Sequence, residues 1–319
     1  MFNRNLKPVI LVYFTIILLS LTACTKETVI VEEPPVTDAA DAQKRQQAID
    51  DYTSLYLTTN TTASWTGSIL TCNPGTVSAD MHAKTAKRIN FYRKIVGLPY
   101  NMQFTTFLNE KAQKAALMME ANNLLSHTPD ASWTCYTADG AAAAGNSNLA
   151  RGVIGSSAID SYMQDFGTGN EAVGHRRWLL FTRAKTFGHG STSSFNAIYC
   201  LNNFSNPALA PSLTPEFIAY PPKGYIVKDL FIPQQRWSFA IPDADFSTAA
   251  VTVKNADNIT ITTTKYPLLS GYGDNTLVFV PNINSYAFTK DTKYTVEVKN
   301  VKVGGVLKTF NYSVTFVKR

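Results

Sequence analysis

The sequence predicts an α+β protein in which a helical segment with a few strands precedes an all-β segment. Residues 78–99 and 105–125 carry apolar side chains at three-to-four-residue spacing, the pattern of helices that pack on a core. After about residue 215 the pattern changes to short β-branched and aromatic runs separated by turn residues. An apolar content of 45% and a charged content of 16% fit a folded protein with sizeable cores.

Four helices are predicted in the first segment. They cover residues 78–99, 105–125, 157–167 and 170–180. Ser78 or Asp80 is the expected N-cap of the first helix, and Thr106 that of the second. Small and turn-forming residues over 126–152 predict an irregular stretch, and residues 185–204 read as two strands joined by a Ser/Thr turn.

The second segment predicts a β-sandwich. Runs such as "RWSFAI" and "KYTVEVKNVKV" are typical of strands, and the Gly-Gly pair in "VKVGGVLK" (301–308) predicts a hairpin. Six or seven such strands over about a hundred residues are the pattern of an immunoglobulin-like fold. We therefore assign 215–319 to an all-β immunoglobulin-like sandwich, although the Cys…Trp…Cys hallmark of true immunoglobulin domains is missing.

The N-terminus has the pattern of a secretory signal. Arg4 and Lys7 precede the apolar run "PVILVYFTIILLSL" (8–21), which is short for a permanent membrane span. The following "LTAC" (21–24) resembles a bacterial lipobox, which implies cleavage and lipidation of Cys24. The alternative is a plain cleaved signal in which the cysteine is coincidental.

These features predict how the N-terminal segment is organised and where the protein is located. Residues 1–24 are interpreted as a lipoprotein signal peptide, and the polar, Pro-containing residues 25–50 as a tether. The expected location is the bacterial cell envelope, at the outer membrane or the cell surface, with the membrane as a partner through the lipid on Cys24. The net charge of +6 forms no basic block, so nucleic acid is not an expected partner.

Three further cysteines remain. Cys72 and Cys135 both lie in loop-like segments, and a disulfide between them is the favoured pairing outside the cytoplasm. Cys200, in "NAIYCLNN", has the surroundings of a buried apolar residue on a strand.

An ordered set of motifs over roughly residues 75–205 resembles the CAP superfamily, also called SCP-like extracellular domains. "R-x-x-x-G-L-P" is matched by "RKIVGLP" (93–99), and "L-x-x-x-A-x-x-x-A" by Leu108, Ala112 and Ala116. A histidine follows the second helix, then come "GNSNLA" (145–150), similar to a "G-E-N-L-A" element, and a "G-H" histidine. The resemblance implies an αβα sandwich around a small antiparallel sheet, which we assign to residues 51–214.

The resemblance also implies a cleft lined by two histidines and two glutamates. His127 and His175 match the two histidines. Ser147 stands where the first glutamate is expected, and Asp165 is the nearest match to the second. The first carboxylate is thus lost at Ser147, and the second stands on the shorter side chain of Asp165.

Two neutral imidazoles can hold a divalent, zinc-like metal, with water completing the shell. A site formed by His127 and His175 would be weak, and binding would fade below about pH 6.5 as imidazoles protonate. Simpler roles remain open, because His127 can close a helix C-terminus and His175 can be a packed interior ring. Arg176 and Arg177 are expected at the surface or in ion pairs.

Two further histidines stand apart from these motifs. His82 is expected on an exposed helix face and His189 on a strand edge.

Two functions are compatible with these residues. The first is a binding module whose cleft contacts a small ligand, lipid, glycan or protein. The second is a hydrolase of an envelope polymer or peptide, with His127, His175 and Asp165 in metal-assisted or acid–base roles. No H-E-x-x-H, G-x-S-x-G or P-loop motif is present, and a catalytic metal usually has three protein ligands. The sequence leaves catalysis undecided and favours the binding module.

Overall fold

The computed structural model describes residues 38–203 and 205–319, and Asp38–Arg319 form one compact unit. The predicted signal segment, Cys24 and the first part of the predicted tether lie outside the described residues. Within the described part of the chain, no helix has the length and apolar character needed to cross a membrane.

Six α-helices occur in the described residues before position 180. They are α1 (Asp38–Asp51), α2 (Ala79–Ile95), α3 (Thr106–Asn122), α4 (Ala138–Gly145), α5 (Gly155–Gln164) and α6 (Gly174–Leu179). The Ser78 side chain accepts a hydrogen bond from the Met81 amide, so the cap predicted for α2 is confirmed. At α3 the cap is Thr105, one residue before the predicted Thr106.

Two helices differ from the sequence prediction. The stretch 126–152, predicted to be irregular, contains α4, because Thr137 caps a run of alanines with high helix propensity. Residues 38–50 of the predicted tether belong to α1, which packs on the edge strand β6 (Gly224–Val227). Arg45 of α1 donates to both carboxylate oxygens of Asp291, at 2.6 and 3.1 Å.

A small sheet lies between two helical layers. Its strands β1 (Gln103–Phe104), β2 (Ser147–Arg151), β3 (Thr186–Ser191) and β4 (Phe195–Tyr199) are arranged in the order β1-β3-β4-β2. Leu149 and Ala197 pack against α3 and α4, whereas Ala150 and Ile198 belong to the core formed with α2 and α5. Alternating side chains of each strand therefore face opposite helical layers.

Two further sheets form the β-rich segment. The additional strands are β5 (Ile218–Tyr220), β7 (Trp237–Ala240), β8 (Ala250–Asn255), β9 (Thr260–Ile261), β10 (Thr263–Lys265), β11 (Thr276–Pro281), β12 (Thr292–Val303) and β13 (Val306–Val317). The strand orders are β10-β11-β7-β5 and β6-β13-β12-β8-β9. Gly304 and Gly305, both with positive φ, turn β12 into β13, which confirms the predicted hairpin.

Aromatic side chains join the two sheets. Phe239 on β7 contacts Phe310 on β13, with ring centroids 5.4 Å apart, and Trp237 lies 5.9 Å from Phe316. The sheets therefore pack face to face, and the chain is α+β with a β-rich C-terminal segment. The immunoglobulin-like assignment stays a prediction, and β6 pairs parallel to β13 at one edge of the five-stranded sheet.

The helical and β-rich segments share one core. Tyr92 of α2 lies 6.2 Å from the ring of Tyr220 on β5, and Tyr220 contacts Phe231 in turn. These rings belong to a single cluster of buried residues that runs from α2 into both sheets of the β-rich segment. The boundary predicted at residue 214 stays a prediction.

Candidate functional site

His175 and Asp165 form the centre of the candidate site. Asp165 follows α5 in the left-handed conformation (φ 48°), which aspartate tolerates better than most residues. This turn directs its buried carboxylate at the first turn of α6, where Oδ1 lies 2.8 Å from Nδ1 of His175. The imidazole stacks on Tyr162, with ring centroids 5.3 Å apart, and 24% of the His175 side chain is exposed.

The partner of His175 fixes which ring nitrogen carries the proton. An ionised carboxylate only accepts hydrogen bonds, so Nδ1–H of His175 donates to Asp165. In the neutral ring the lone pair is then on Nε2, for which the described residues offer no hydrogen-bond partner. Nε2 is therefore the atom with which His175 can bind a metal or accept a proton.

His127 has the same arrangement with a different acceptor. It follows α3 in an exposed turn, and its Nδ1 lies 2.9 Å from the carbonyl oxygen of Ala144. A carbonyl cannot donate, so Nδ1–H is the donor and the lone pair of the neutral ring is on Nε2. This contact also satisfies a carbonyl near the end of α4.

The segment Ala143–Asn148 contacts both histidines. Ala144 accepts from His127, and the Asn148 amide donates to the His175 carbonyl at 3.0 Å. Among the described residues, no hydrogen bond or ring contact joins His127 to His175 directly. We call the region bounded by His127, Asp165, His175 and this segment the histidine cleft, after the cleft that the resemblance to the CAP superfamily implies.

Ser147 does not offer a free hydroxyl to the histidine cleft. It lies on β2 with 3% of its surface exposed, and its Oγ donates to the Ala143 carbonyl at 2.7 Å. The serine that stands at the glutamate position of the motif is thus committed to the backbone.

Arg176 and Arg177 are buried, so their predicted surface location is wrong. Burial lowers the pKa of each guanidinium to about 10. Both donate mainly to backbone carbonyls: Arg176 to Met163, Gln164 and Arg236, and Arg177 to Leu269, Tyr272 and Asp274. Five N–H donors on a planar group allow a single arginine to join several chain segments. The two arginines therefore fix α6, and with it His175, to the β-rich segment.

Arg236, on the β-rich segment, holds the loop after α5. Its guanidinium donates to the carbonyls of Asp165, at 2.6 Å, and Gly167, at 2.8 Å. A carboxylate at a helix C-terminus is electrostatically unfavourable unless cations or donors offset it. Arg236 and the Arg176 amide, which donates to Asp165 Oδ2, supply that offset.

His82 and His189 contact each other, which the sequence did not predict. His189 is fully buried in β3, where it pairs with β4 on one side and lies beyond the short pairing with β1 on the other. Half-buried His82 of α2 places its Nδ1 3.0 Å from Nδ1 of His189. Gly188 and Gly190 flank His189, and a Cβ on either would lie 2.4 Å from the backbone of α3. Glycine on both sides of a strand histidine is therefore the sequence signal that a helix covers this strand closely.

The cysteines occupy two environments. Cys72 and Cys135, the favoured pair, are joined by a disulfide that links the loop before α2 to the loop before α4. Cys200 is free and buried just after β4, where burial raises its thiol pKa to about 12. A thiol in that state is neither a nucleophile nor a metal ligand.

No cluster of three or more histidine, cysteine, aspartate or glutamate side chains suited to a metal ion occurs among residues 38–203 and 205–319. A metal in the histidine cleft would therefore have at most two protein ligands of these types.

Residues 86–204 match the model of the CAP family, described as the cysteine-rich secretory protein family. The match covers less than half of the chain and supports a CAP domain in the segment that contains His127, Asp165 and His175. No curated protein matches the chain.

Among solved structures, the chain is similar to PcoC, a methionine-rich copper resistance protein from Escherichia coli. The TM-score is 0.24 with 12% identity, over 31% of this chain and 92% of that chain. The selenomethionine form of PcoC gives a TM-score of 0.23 with 12% identity, over 31% and 94%. Likenesses this slight carry no argument on fold or function.

Proposed function

We propose that the chain is a CAP-domain interaction module that works outside the cytoplasm, and that its histidine cleft holds a divalent metal weakly through His127 and His175. The proposal includes anchoring of the module in the bacterial envelope by a lipid on Cys24. The observation that carries the metal site is the hydrogen bond from His175 Nδ1 to Asp165, which leaves Nε2 with its lone pair.

The hydrogen bonds that both rings make through Nδ1 support this site. A histidine that binds a metal through one nitrogen usually donates its other N–H to a carboxylate or carbonyl, which fixes the ring and raises its basicity. Asp165 serves His175 in this way, and the Ala144 carbonyl serves His127. Both rings reach solvent, so an ion has access to them.

The number of ligands supports binding over catalysis. Two imidazoles leave at least two positions of a tetrahedral zinc ion to water, so affinity is low and the ion is easily exchanged. Such an ion can join the cleft to a carboxylate or imidazole of a partner, which would complete the coordination shell.

Zinc titration of the full chain by calorimetry tests the site. We expect binding in the unmodified protein and its loss in both His127→Ala and His175→Ala. The matched control is His82→Ala, which removes an imidazole elsewhere and is expected to bind zinc as before. Unchanged binding in either cleft variant, or loss in the control, contradicts the proposal. Thermal unfolding of each variant checks that it is folded.

A hydrolase is the second candidate, and the Asp165–His175 pair favours it. A carboxylate that orients an imidazole by Nδ1–H leaves Nε2 as a general base for a water molecule. Ser147 supplies no nucleophile because its hydroxyl is buried and bonded to the backbone. Turnover of envelope polymers or peptides that requires His175 in assays with and without zinc would establish this candidate instead.

A further inference from the structure

A cavity lies where the helical segment meets the β-rich segment. Its walls are the turn after α6 (181–183), the connecting chain over 208–214, and the loops 242–243 and 271–275. We call it the junction cavity. Its volume of about 620 Å³ is within the range of small-molecule sites, which occur preferentially where structural units meet. It contains neither His127 nor His175.

One wall of the junction cavity is fixed in advance of any ligand. The loop 271–275 is held by Arg177, which donates to the carbonyls of Tyr272 and Asp274. Gly273 allows this close approach, because a Cβ there would lie 2.6 Å from the Arg177 carbonyl. Both carboxylate oxygens of Asp274 accept from Thr182, at 2.8 and 2.9 Å. A site that is formed beforehand loses little conformational entropy on binding.

Polar groups with spare hydrogen-bonding capacity line the cavity. The Arg183 guanidinium makes a single long contact, 3.4 Å to the Asn206 carbonyl. The Asp243 carboxylate is exposed, and no donor within the described residues bonds to it. The Asn275 amide nitrogen donates to Ala244, which leaves its carbonyl oxygen open. Arg183 can only donate, whereas Asp243 and the Asn275 oxygen can only accept.

The charge of the lining argues against an anionic ligand. Arg183 is the only cation among the lining residues, which also include the carboxylates of Asp243 and Asp274. Burial, with a contribution from Asp243, raises the pKa of Asp274, so added negative charge would be unfavourable there. The lining also includes the apolar residues Leu209, Pro211 and Pro242 and the partly exposed Tyr272.

We propose that the junction cavity binds a neutral saccharide of one or two units. Each hydroxyl of a sugar both donates and accepts, so neighbouring hydroxyls satisfy the donor-only Arg183 and the acceptor-only Asp243 together. The C–H faces of the sugar ring cover the proline, leucine and tyrosine surfaces. This site is independent of the histidine cleft, and it binds without zinc.

Calorimetry or saturation-transfer NMR on the full chain tests the proposal with glucose, N-acetylglucosamine, maltose, lactose, cellobiose and diacetylchitobiose. At least one is expected to bind with a Kd of about 1 mM or lower. Asp243→Gly and Arg183→Gln should each weaken binding about tenfold or more, since a charged hydrogen bond is lost. Glycine suits the positive φ of Asp243 (59°), so that variant keeps the backbone.

Two controls separate the outcomes. Arg151→Gln removes an exposed arginine elsewhere and should leave sugar binding unchanged, as should His175→Ala, which abolishes zinc binding if the proposed function holds. The proposal is overturned if none of the sugars binds at about 10 mM, or if both cavity variants bind normally. Binding of the zwitterionic dipeptide Gly-Leu in place of the sugars, with loss in the cavity variants, would also overturn it and assign the cavity to peptides.

Discussion

The four histidines of the chain form two groups that differ in what their ring nitrogens do. In the histidine cleft, His127 and His175 each donate from Nδ1 to an acceptor, and the described residues offer no hydrogen-bond partner to the other nitrogen. In the second group, His82 and His189 hydrogen-bond to each other inside the helical segment. The two histidines that contact each other are therefore not the two that match the family motif.

The proton positions in the buried pair follow from its neighbours. Ser191 Oγ receives hydrogen bonds from the Asn196 amide at 2.7 Å and the Gly155 amide at 3.3 Å. Both lone pairs of this oxygen are then used, so its own proton goes to Nε2 of His189, 3.0 Å away. His189 therefore carries its proton on Nδ1 and donates to the Nδ1 lone pair of His82.

This difference teaches that proximity of two imidazoles does not make a metal site. In the His82–His189 pair every nitrogen that faces the partner is already part of a hydrogen-bond chain that ends at Ser191 and Asn196. A metal would have to break that chain in a buried place. In the histidine cleft the acceptors are oxygens that cannot donate, so each neutral ring carries its proton on Nδ1. The lone pair on Nε2 is then free to bind a metal.

The largest expected effect is on stability and separates the two groups. His189→Ala should lower the free energy of unfolding by about 2–4 kcal/mol, because it leaves a cavity and removes the partners of His82 and Ser191. His127→Ala should change it by less than about 0.5 kcal/mol, since this ring is exposed. Urea unfolding of both variants measures the difference. Equal losses would show that the His82–His189 contact contributes no more than a surface ring.

The sequence was sufficient for α2, α3, α5, α6 and the β12–β13 hairpin, because apolar periodicity, caps and the Gly-Gly turn act locally, but it missed α1 and α4. It also placed Asp165 next to His175, ten residues away. It could not place Arg176 and Arg177, because their carbonyl acceptors on the β-rich segment lie about 60–100 residues away, beyond the reach of pattern rules. The same holds for His82 and His189, which are 107 residues apart and meet only through the packing of α2 on the sheet.

A smaller effect is expected at the carboxylate that orients His175. Asp165→Asn keeps an oxygen acceptor and a residue that tolerates positive φ, but it removes the negative charge. We expect zinc affinity in the histidine cleft to fall about 10–100-fold, as for other outer-shell partners of metal ligands. Calorimetric titration measures it, and Asp130→Asn, an exposed aspartate in a turn, serves as the control. An affinity unchanged in Asp165→Asn would indicate that this carboxylate has no role in metal binding.

The smallest effect concerns pH and the buried pair. Burial lowers the pKa of His82, and lowers that of His189 far below the ordinary value of about 6.5. The unfolded chain therefore binds protons below about pH 6.5 that the folded chain does not, so stability must fall as pH decreases through this range.

The free energy of unfolding falls by at most about 1.4 kcal/mol per pH unit for each ring that stays neutral in the folded protein. His82→Asn is the matched variant, because the asparagine oxygen can accept from His189 Nδ1–H without titrating. Between pH 7 and about pH 5.5 the unmodified protein should lose about 1 kcal/mol more than this variant. Subtraction of the two curves cancels contributions shared by both proteins, including that of the buried Asp274. Parallel curves would mean that His82 titrates as an ordinary exposed histidine, and the buried pair would then lose its distinction from the histidine cleft.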